Sequence, residues 1–301
     1  MKITKLLIMA IILFSVNKVQ AQNTASQISD EQAHEIVFKG TPDDVRKLVQ
    51  SGYNVNKVYL CNTLLNVAVR SSARGTNARK HPTYALEKIK ILVNAGADVN
   101  LIPCPNLSMP PLHWAVSLPQ ELKYLEVDAN KIIDEKIKNK IGECNFPGIV
   151  SKPCEEVTPE ERKKIKIAVK DAMQLAYNTF SPYFMEIIDF LATNGADINL
   201  KAGTLETAPL HIAATNPQEI TLAPLQYLIK KGANLNIQDK DGNTPLFWAY
   251  GLRNDSAVDV LIKSGADATI TNRQGAIYKD VEGKNIRGFM DVQGNMIFNE
   301  F

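Results

Sequence analysis

Eight residues of this 301-residue chain are of the types that serve most readily as metal ligands or nucleophiles: Cys61, Cys104, Cys144, Cys154, His34, His81, His113 and His211. A zinc site would need some of them in close pairs, such as Cys-x-x-Cys or His-x-x-x-His, and no such pair occurs. There is no His-Glu-x-x-His, no Gly-x-Ser-x-Gly elbow and no Gly-Lys-Ser/Thr phosphate loop. Carboxylates are plentiful, but none stands out as an acid–base pair. The expectation is therefore a non-enzymatic protein with no cofactor and no metal. The chemistry left to the cysteines is pairing. An even count suits disulfides in an exported protein. Four cysteines allow three pairings, and the sequence does not choose among them.

Export is what the amino terminus predicts. Lys2 and Lys5 precede an apolar run from Leu6 to Val16 whose one polar residue is Ser15, and Val19-Gln20-Ala21 offers a small-residue cleavage site. This layout is that of a signal peptide, residues 1–21, cut after Ala21. The run is too short to span a bilayer comfortably, no later stretch is long and apolar enough, and no cysteine lies near the cut to carry a lipid. The mature chain is expected in the periplasm or outside the cell, without membrane insertion. Removing the leader removes three lysines and no acid, so the formal charge falls from +2 to −1. A near-neutral chain gives no reason to expect nucleic acid or an anionic membrane as partner.

The elements that must position any site repeat. SGYNVN, AGADVN, NGADIN, KGANLN and SGADAT each follow an apolar helical pattern, and their glycines, Gly52, Gly96, Gly195, Gly232 and Gly265, are spaced 44, 99, 37 and 33 residues apart. The base period is about 33 residues, with insertions. A second block precedes four of these strings: NTLLNVAV at 62, MPPLHWAV at 109, TAPLHIAA at 207 and NTPLFWAY at 243. Thr244 is placed to cap a helix, Pro245 suits its first turn, and Gly265 suits a left-handed helix end. One such unit cannot bury its own apolar face, so neighbours must stack.

This pattern resembles the ankyrin repeat, whose hallmark is Thr-Pro-Leu-His followed by a helix. The resemblance covers roughly residues 28 to 274 outside the insertions. It implies an all-α repeat solenoid of about five repeats, spanning 22–274. It also implies that His113 and His211 bond neighbouring backbone rather than a ligand, and that Trp114 and Trp248, one residue further on, are core. The first repeat departs from the pattern: it has no Thr-Pro-Leu-His and opens on capping boxes at Ser29–Gln32 and Thr41–Asp44. After Thr269 the sixth block is replaced by Ile277-Tyr278-Lys279-Asp280, which ends the array.

Three parts lie outside the repeat. Residues 71–83, SSARGTNARKHPT, read as a polar loop. Residues 119–180 carry 11 basic and 11 acidic residues and two amphipathic patterns, one from Leu122 to Ile141 and one after the box Thr158–Glu161. They are expected to form a helical hairpin that either buttresses the repeats or joins in binding, with Cys144 and Cys154 stapling its tip. Residues 275–301 contain the near-copies DVEGKNIRGFM and DVQGNMIFNEF, expected as a short β-hairpin-like cap. That leaves Cys61 and Cys104, each just before a helix-initiating block, in fingers that the repeat places side by side.

Ankyrin arrays bind proteins through finger tips and the concave helix face, so the resemblance implies another protein as partner. The tips here hold Tyr59, Leu60, Leu101, Ile102, Leu107, Met109, Lys201, Glu206, Gln238, Lys240 and Arg273. In LIPCPNLSM the apolar residues sit on a finger stiffened by Pro103 and Pro105, suited to a partner or to packing. The expected function is an extracytoplasmic protein-binding module, in its most specific form an immunity-like protein that occludes an exported effector. The alternative is a structural or protective factor for a cell-envelope protein, for example in oxidative stress.

Overall fold

The computed structural model describes residues 28–74, 83–105, 107–121, 167, 178, 180–216, 222–281, 287–290 and 296–299. The leader, His81, Cys144, Cys154 and nearly all of the long insert lie outside the described residues. Among the described residues, ten helices make five antiparallel pairs. They are α1 Asp30–Lys39, α2 Pro42–Gln50, α3 Leu64–Arg74, α4 Thr83–Asn94, α5 Pro111–Glu121, α6 at 180–193, α7 Pro209–Ala214, α8 Ala223–Lys230, α9 Pro245–Gly251 and α10 Asp255–Lys263. A 3-10 turn follows at Tyr278–Val281. Strands β1 Arg287–Met290 and β2 Met296–Asn299 then pair antiparallel, Arg287 opposite Asn299.

Local chemistry sets the helix ends. Ser29 and Thr41 both complete capping boxes, with Gln32 and Asp44. Thr63 Oγ accepts from Asn66 N at 3.1 Å. Thr244 occupies the N-cap of α9 but makes no side-chain cap bond, contrary to the sequence expectation. At the other ends, Gly52, Gly96, Gly195, Gly232 and Gly265 all have φ between 83° and 99°, the left-handed geometry that stops each second helix.

Packing is linear. The first helix of each pair touches the first helix of the next, α1 on α3, α3 on α5, α5 on α7 and α7 on α9, and the 3-10 turn closes the series against α9. Ala68, Ala115, Ala213 and Ala249 are fully buried at equivalent places, small enough to let these helices approach. One apolar cluster runs without a break from Ala33 to Tyr278. Tyr278 meets Tyr250 edge-on at 5.2 Å, so its ring packs on the end where a sixth repeat would stand. Burying a Leu or Ile side chain contributes roughly 2 kcal/mol, and here it comes both from within each pair and from the neighbouring pair that covers it.

Three sequence expectations change. Residues 71–74, read as loop, are the last turn of α3. Ser71 and Ser72 are buried because their hydroxyls bond back to Ala68 O and Val69 O, at 2.8 and 2.6 Å. Residues 119–121, assigned to the insert, complete α5. Gly275 and Ala276, assigned to the tail, close the fifth finger, with Asn272 N donating to Ala276 O at 2.9 Å.

Gly242 must be glycine twice over. Its φ is +83°, and a Cβ there would lie 2.9 Å from Arg273 N of the next finger. Gly96 has φ +88° but open space around it. Urea titration should show Gly96→Ala costing about 1 kcal/mol and Gly242→Ala about 2–3 kcal/mol. Equal costs would mean the fingers do not lie this close.

Candidate partner-binding surface

The fingers are held in a row by contacts between neighbours. Each turn string works as a two-part device. Its Asp or Asn folds the turn on itself: Asn54, Asp98, Asp197, Asn234 and Asp267 each accept from the backbone N two residues on, at 2.8–3.0 Å. The Asn after it then reaches the next repeat. Asn56 Oδ1 accepts from Asp98 N, Asn100 Oδ1 from Asp197 N, Asn199 Oδ1 from Asn234 N and Asn236 Oδ1 from Asp267 N, at 2.7–2.8 Å. Asn56 and Asn100 also donate to Gly96 O and Gly195 O. The fifth string ends in Thr269, where no sixth turn follows.

A second strap runs from the first helices to the finger bases. His113 Nε2 lies 2.9 Å from Thr207 O, and His211 Nε2 lies 3.1 Å from Asn243 O. Asn66 makes the corresponding bond in the second repeat, donating to Met109 O at 3.0 Å. In the first repeat two residues divide the role, Gln32 accepting from Ser29 N while His34 Nε2 reaches Asn62 O at 3.3 Å. Phe247 takes the position in the last repeat, which has no following repeat to bond. Arg70 links repeats two and three, its guanidinium 4.5 Å over the Trp114 ring. Lys88 is buried on α4 and donates to Val37 O at 2.9 Å, with burial holding its pKa below the usual lysine value.

The fingers are also joined directly to one another. Cys61 and Cys104 form a disulfide between the first two fingers. Met109 packs on Gly203, where a Cβ would meet its methyl carbon at 3.3 Å. Lys240 N donates to Leu205 O at 2.8 Å, and Arg273 N donates to Asp241 O at 2.9 Å.

On this frame the candidate residues separate. Leu60 is 76% exposed and Leu107 60% exposed, with Val58 beside them at 39%. Tyr59 is half-buried against the His34 ring. Leu101 and Ile102 are half-buried. Met109 is not a tip residue: it is buried at the finger base, where its carbonyl serves both Asn66 and Trp114 Nε1. Lys201 and Glu206 are exposed and pair with each other at 3.1 Å, an exchange worth less than about 1 kcal/mol. Gln238 donates its amide to Gly242 O and Thr271 O, stitching fingers four and five. Lys240 and Arg273 direct exposed side chains outward from a fixed backbone. Trp114 and Trp248 are both buried, as the repeat position required. Among the described residues, no group of three or more His, Cys, Asp or Glu is placed to hold a metal ion. None of the described helices is long and apolar enough to cross a membrane.

Comparison with known proteins agrees with this architecture. Residues 173–272 match the family model for ankyrin repeats, in three copies. This part of the chain carries ankyrin repeats, and such repeats mark a protein–protein interaction module. It is 31% identical over 96 residues to ankyrin repeat and SOCS box protein 6 of Pongo abelii, covering 30% of this chain and 22% of that one. It is 33% identical over 107 residues to a putative ankyrin repeat protein of Borreliella burgdorferi, covering 35% of this chain and 46% of that one. Over 99 residues it is 36% identical to the probable 26S proteasome regulatory subunit p28 of Saccharomyces cerevisiae, covering 33% and 42%. The chain thus spans less than half the length of these relatives.

Burial depresses the pKa of both strap histidines from the usual 6.5 to about 4. Above pH 6.5 they are neutral whether folded or not. As pH falls towards 4, the unfolded chain takes up protons that the folded one resists, so stability is lost across that window, by up to about 3 kcal/mol per histidine. Since Asn66 already makes this bond, replacing His113 and His211 with Asn should keep the fold and flatten the slope of stability against pH between 6.5 and 4. Denaturant titrations at several pH values check this, and an unchanged slope would move the dependence elsewhere.

Proposed function

We propose that the protein is a non-enzymatic extracytoplasmic binding module that grips another protein with its first two fingers. One observation carries this reading. The described residues include five exposed large apolar side chains, and three of them, Val58, Leu60 and Leu107, sit on the two fingers joined by Cys61–Cys104. A fixed frame that holds apolar side chains in water has already met much of the ordering cost of association. The leader-like residues 1–21 and the disulfide favour an oxidising, extracytoplasmic setting.

Its more specific form is an immunity-like protein that covers an exported effector. An unbroken row of interlocked tips suits occlusion, since a partner can be covered without the row deforming. The paired strands at 287–290 and 296–299 fit a cap beyond the last repeat.

The test is capture of partners from the native envelope by the mature chain, with mass spectrometry of what is bound. The variant Leu60→Asp/Leu107→Asp should lose the captured protein by roughly tenfold or more, because charges would enter the apolar contact. Its far-UV spectrum should not change, because both positions face water. Equal capture by the variant would remove the first two fingers as the contact. Turnover in a hydrolase screen would contradict the module outright.

A further inference from the structure

The first finger turns where turning is least natural. Tyr59 N donates to Asn62 O and Asn62 N to Tyr59 O, both at 3.0 Å, leaving Leu60 and Cys61 as the two central residues of a hairpin turn. Both are left-handed, with φ of 47° and 56°. Glycine or asparagine normally fills such places, because a Cβ crowds the backbone there. The third, fourth and fifth fingers place Gly203, Gly242 and Gly275 at positive φ; the third also holds Glu206 there, at 50°, but among the described residues only the first finger puts two adjacent non-glycine residues in that region.

Two anchors surround this turn, and they are unequal. Asn62 is tied to the array through His34 Nε2 at its carbonyl and Arg70 Nη1 at its Oδ1, both at 3.3 Å. The outer half, Leu60–Cys61, is held within the turn by Asn62 Nδ2, which donates to Leu60 O at 2.9 Å, and is tied to the neighbouring finger by the disulfide to Cys104. Cys104 lies in a loop that holds itself. Its N–H donates to Ser108 Oγ at 2.9 Å, and its carbonyl accepts from Leu107 N, Ser108 N and Ser108 Oγ, all at 3.1 Å. Neither cysteine is buried.

We infer that the Cys61–Cys104 disulfide is a redox-operated clamp that takes the place of glycine at the tip of the first finger. Oxidised, it holds Leu60 in the left-handed turn with its side chain in water. Reduced, Leu60 and Cys61 return to ordinary backbone and the second finger stays as it was. The reductant is a dithiol. One thiolate attacks a sulfur of the pair and breaks the Cys61–Cys104 bond, forming a mixed disulfide; its second thiolate displaces the remaining cysteine. The protein gains two electrons and two protons, and the dithiol leaves as a disulfide. That this governs binding rests on the function proposed above, whereas the change in the turn does not.

Hydrogen exchange on the full mature chain tests it without a partner, so its failure and that of the binding reading are separate results. In Cys61→Ser/Cys104→Ser, the amides of Tyr59 and Asn62 should exchange roughly tenfold faster than in the oxidised protein, with Leu107 and Ser108 changing less than about twofold. Leu60→Gly/Cys61→Gly/Cys104→Ser should restore protection, because glycine accepts positive φ freely. Protection at Ala213 and Ala249 reports that the array remains folded. If the serine variant fails to fold, dithiothreitol reduction of the folded wild type gives the same comparison. Unchanged exchange at Tyr59 and Asn62, loss spread equally to Leu107 and Ser108, or no recovery with glycine would each overturn the clamp.

Discussion

A pair of short helices with one oily side has nowhere to put it except against another such pair. The rest of the molecule depends on that constraint. The helices α7 and α9 have six and seven residues, too few to persist alone in water. They stand because neighbours cover them. Apolar contact is not directional, however, and would tolerate sliding. The registry comes from polar groups aimed at backbone: the Asn ladder at the turns and the His/Asn strap at the finger bases. Each such bond contributes only about 1 kcal/mol net, but leaving its buried partner unmet would cost more. The combination makes the order of repeats unambiguous.

The consequence for function is a row of tips with little freedom to move independently. Backbone bonds join the third finger to the fourth and the fourth to the fifth, methionine-on-glycine packing joins the second to the third, and a covalent bond joins the first to the second. The one covalent joint falls where the backbone turn is least favourable and where the exposed apolar side chains gather. Elsewhere the tips are polar and their charges pair locally, as Lys201 and Glu206 do. A partner approaching this edge meets an apolar end and a polar end on one stiff support.

Much of this was legible in the sequence, for a physical reason. Glycines at positive φ, capping boxes and the alanine positions are local requirements, so residue type alone reports them. The Cys61–Cys104 pairing was one of three that the sequence left open, suggested by the repeat's placing consecutive fingers together; the structure supplies it. What stayed hidden depends on partners rather than on type. Asn66 and His34 act as straps because a carbonyl lies within reach, and neither fits the Thr-Pro-Leu-His signature. Lys88 is of a type usually exposed, yet it is buried because Val37 O receives its ammonium. Ser71 and Ser72 read as loop because their back-bonds to the helix leave no trace in composition. Met109 reads as an exposed apolar residue, but it stands at the base of a finger, two residues before α5, where the stack closes over it. Leu60 stands in the turn of the first finger, yet nothing in its type announces a left-handed backbone.

The central claim is that bonds from one repeat to the backbone of the next hold the array in line. Asn199 is the direct place to test it, since its Oδ1 receives Asn234 N at 2.8 Å across the boundary between the third and fourth repeats. Trp114 lies on one side of that boundary and Trp248 on the other, so single-tryptophan versions report each half by fluorescence during urea unfolding. With Asn199→Ala, the Trp248 half should unfold at lower urea than the Trp114 half, with about 1 kcal/mol lost at the boundary. Two coincident transitions, unshifted from those of the parent, would contradict the account.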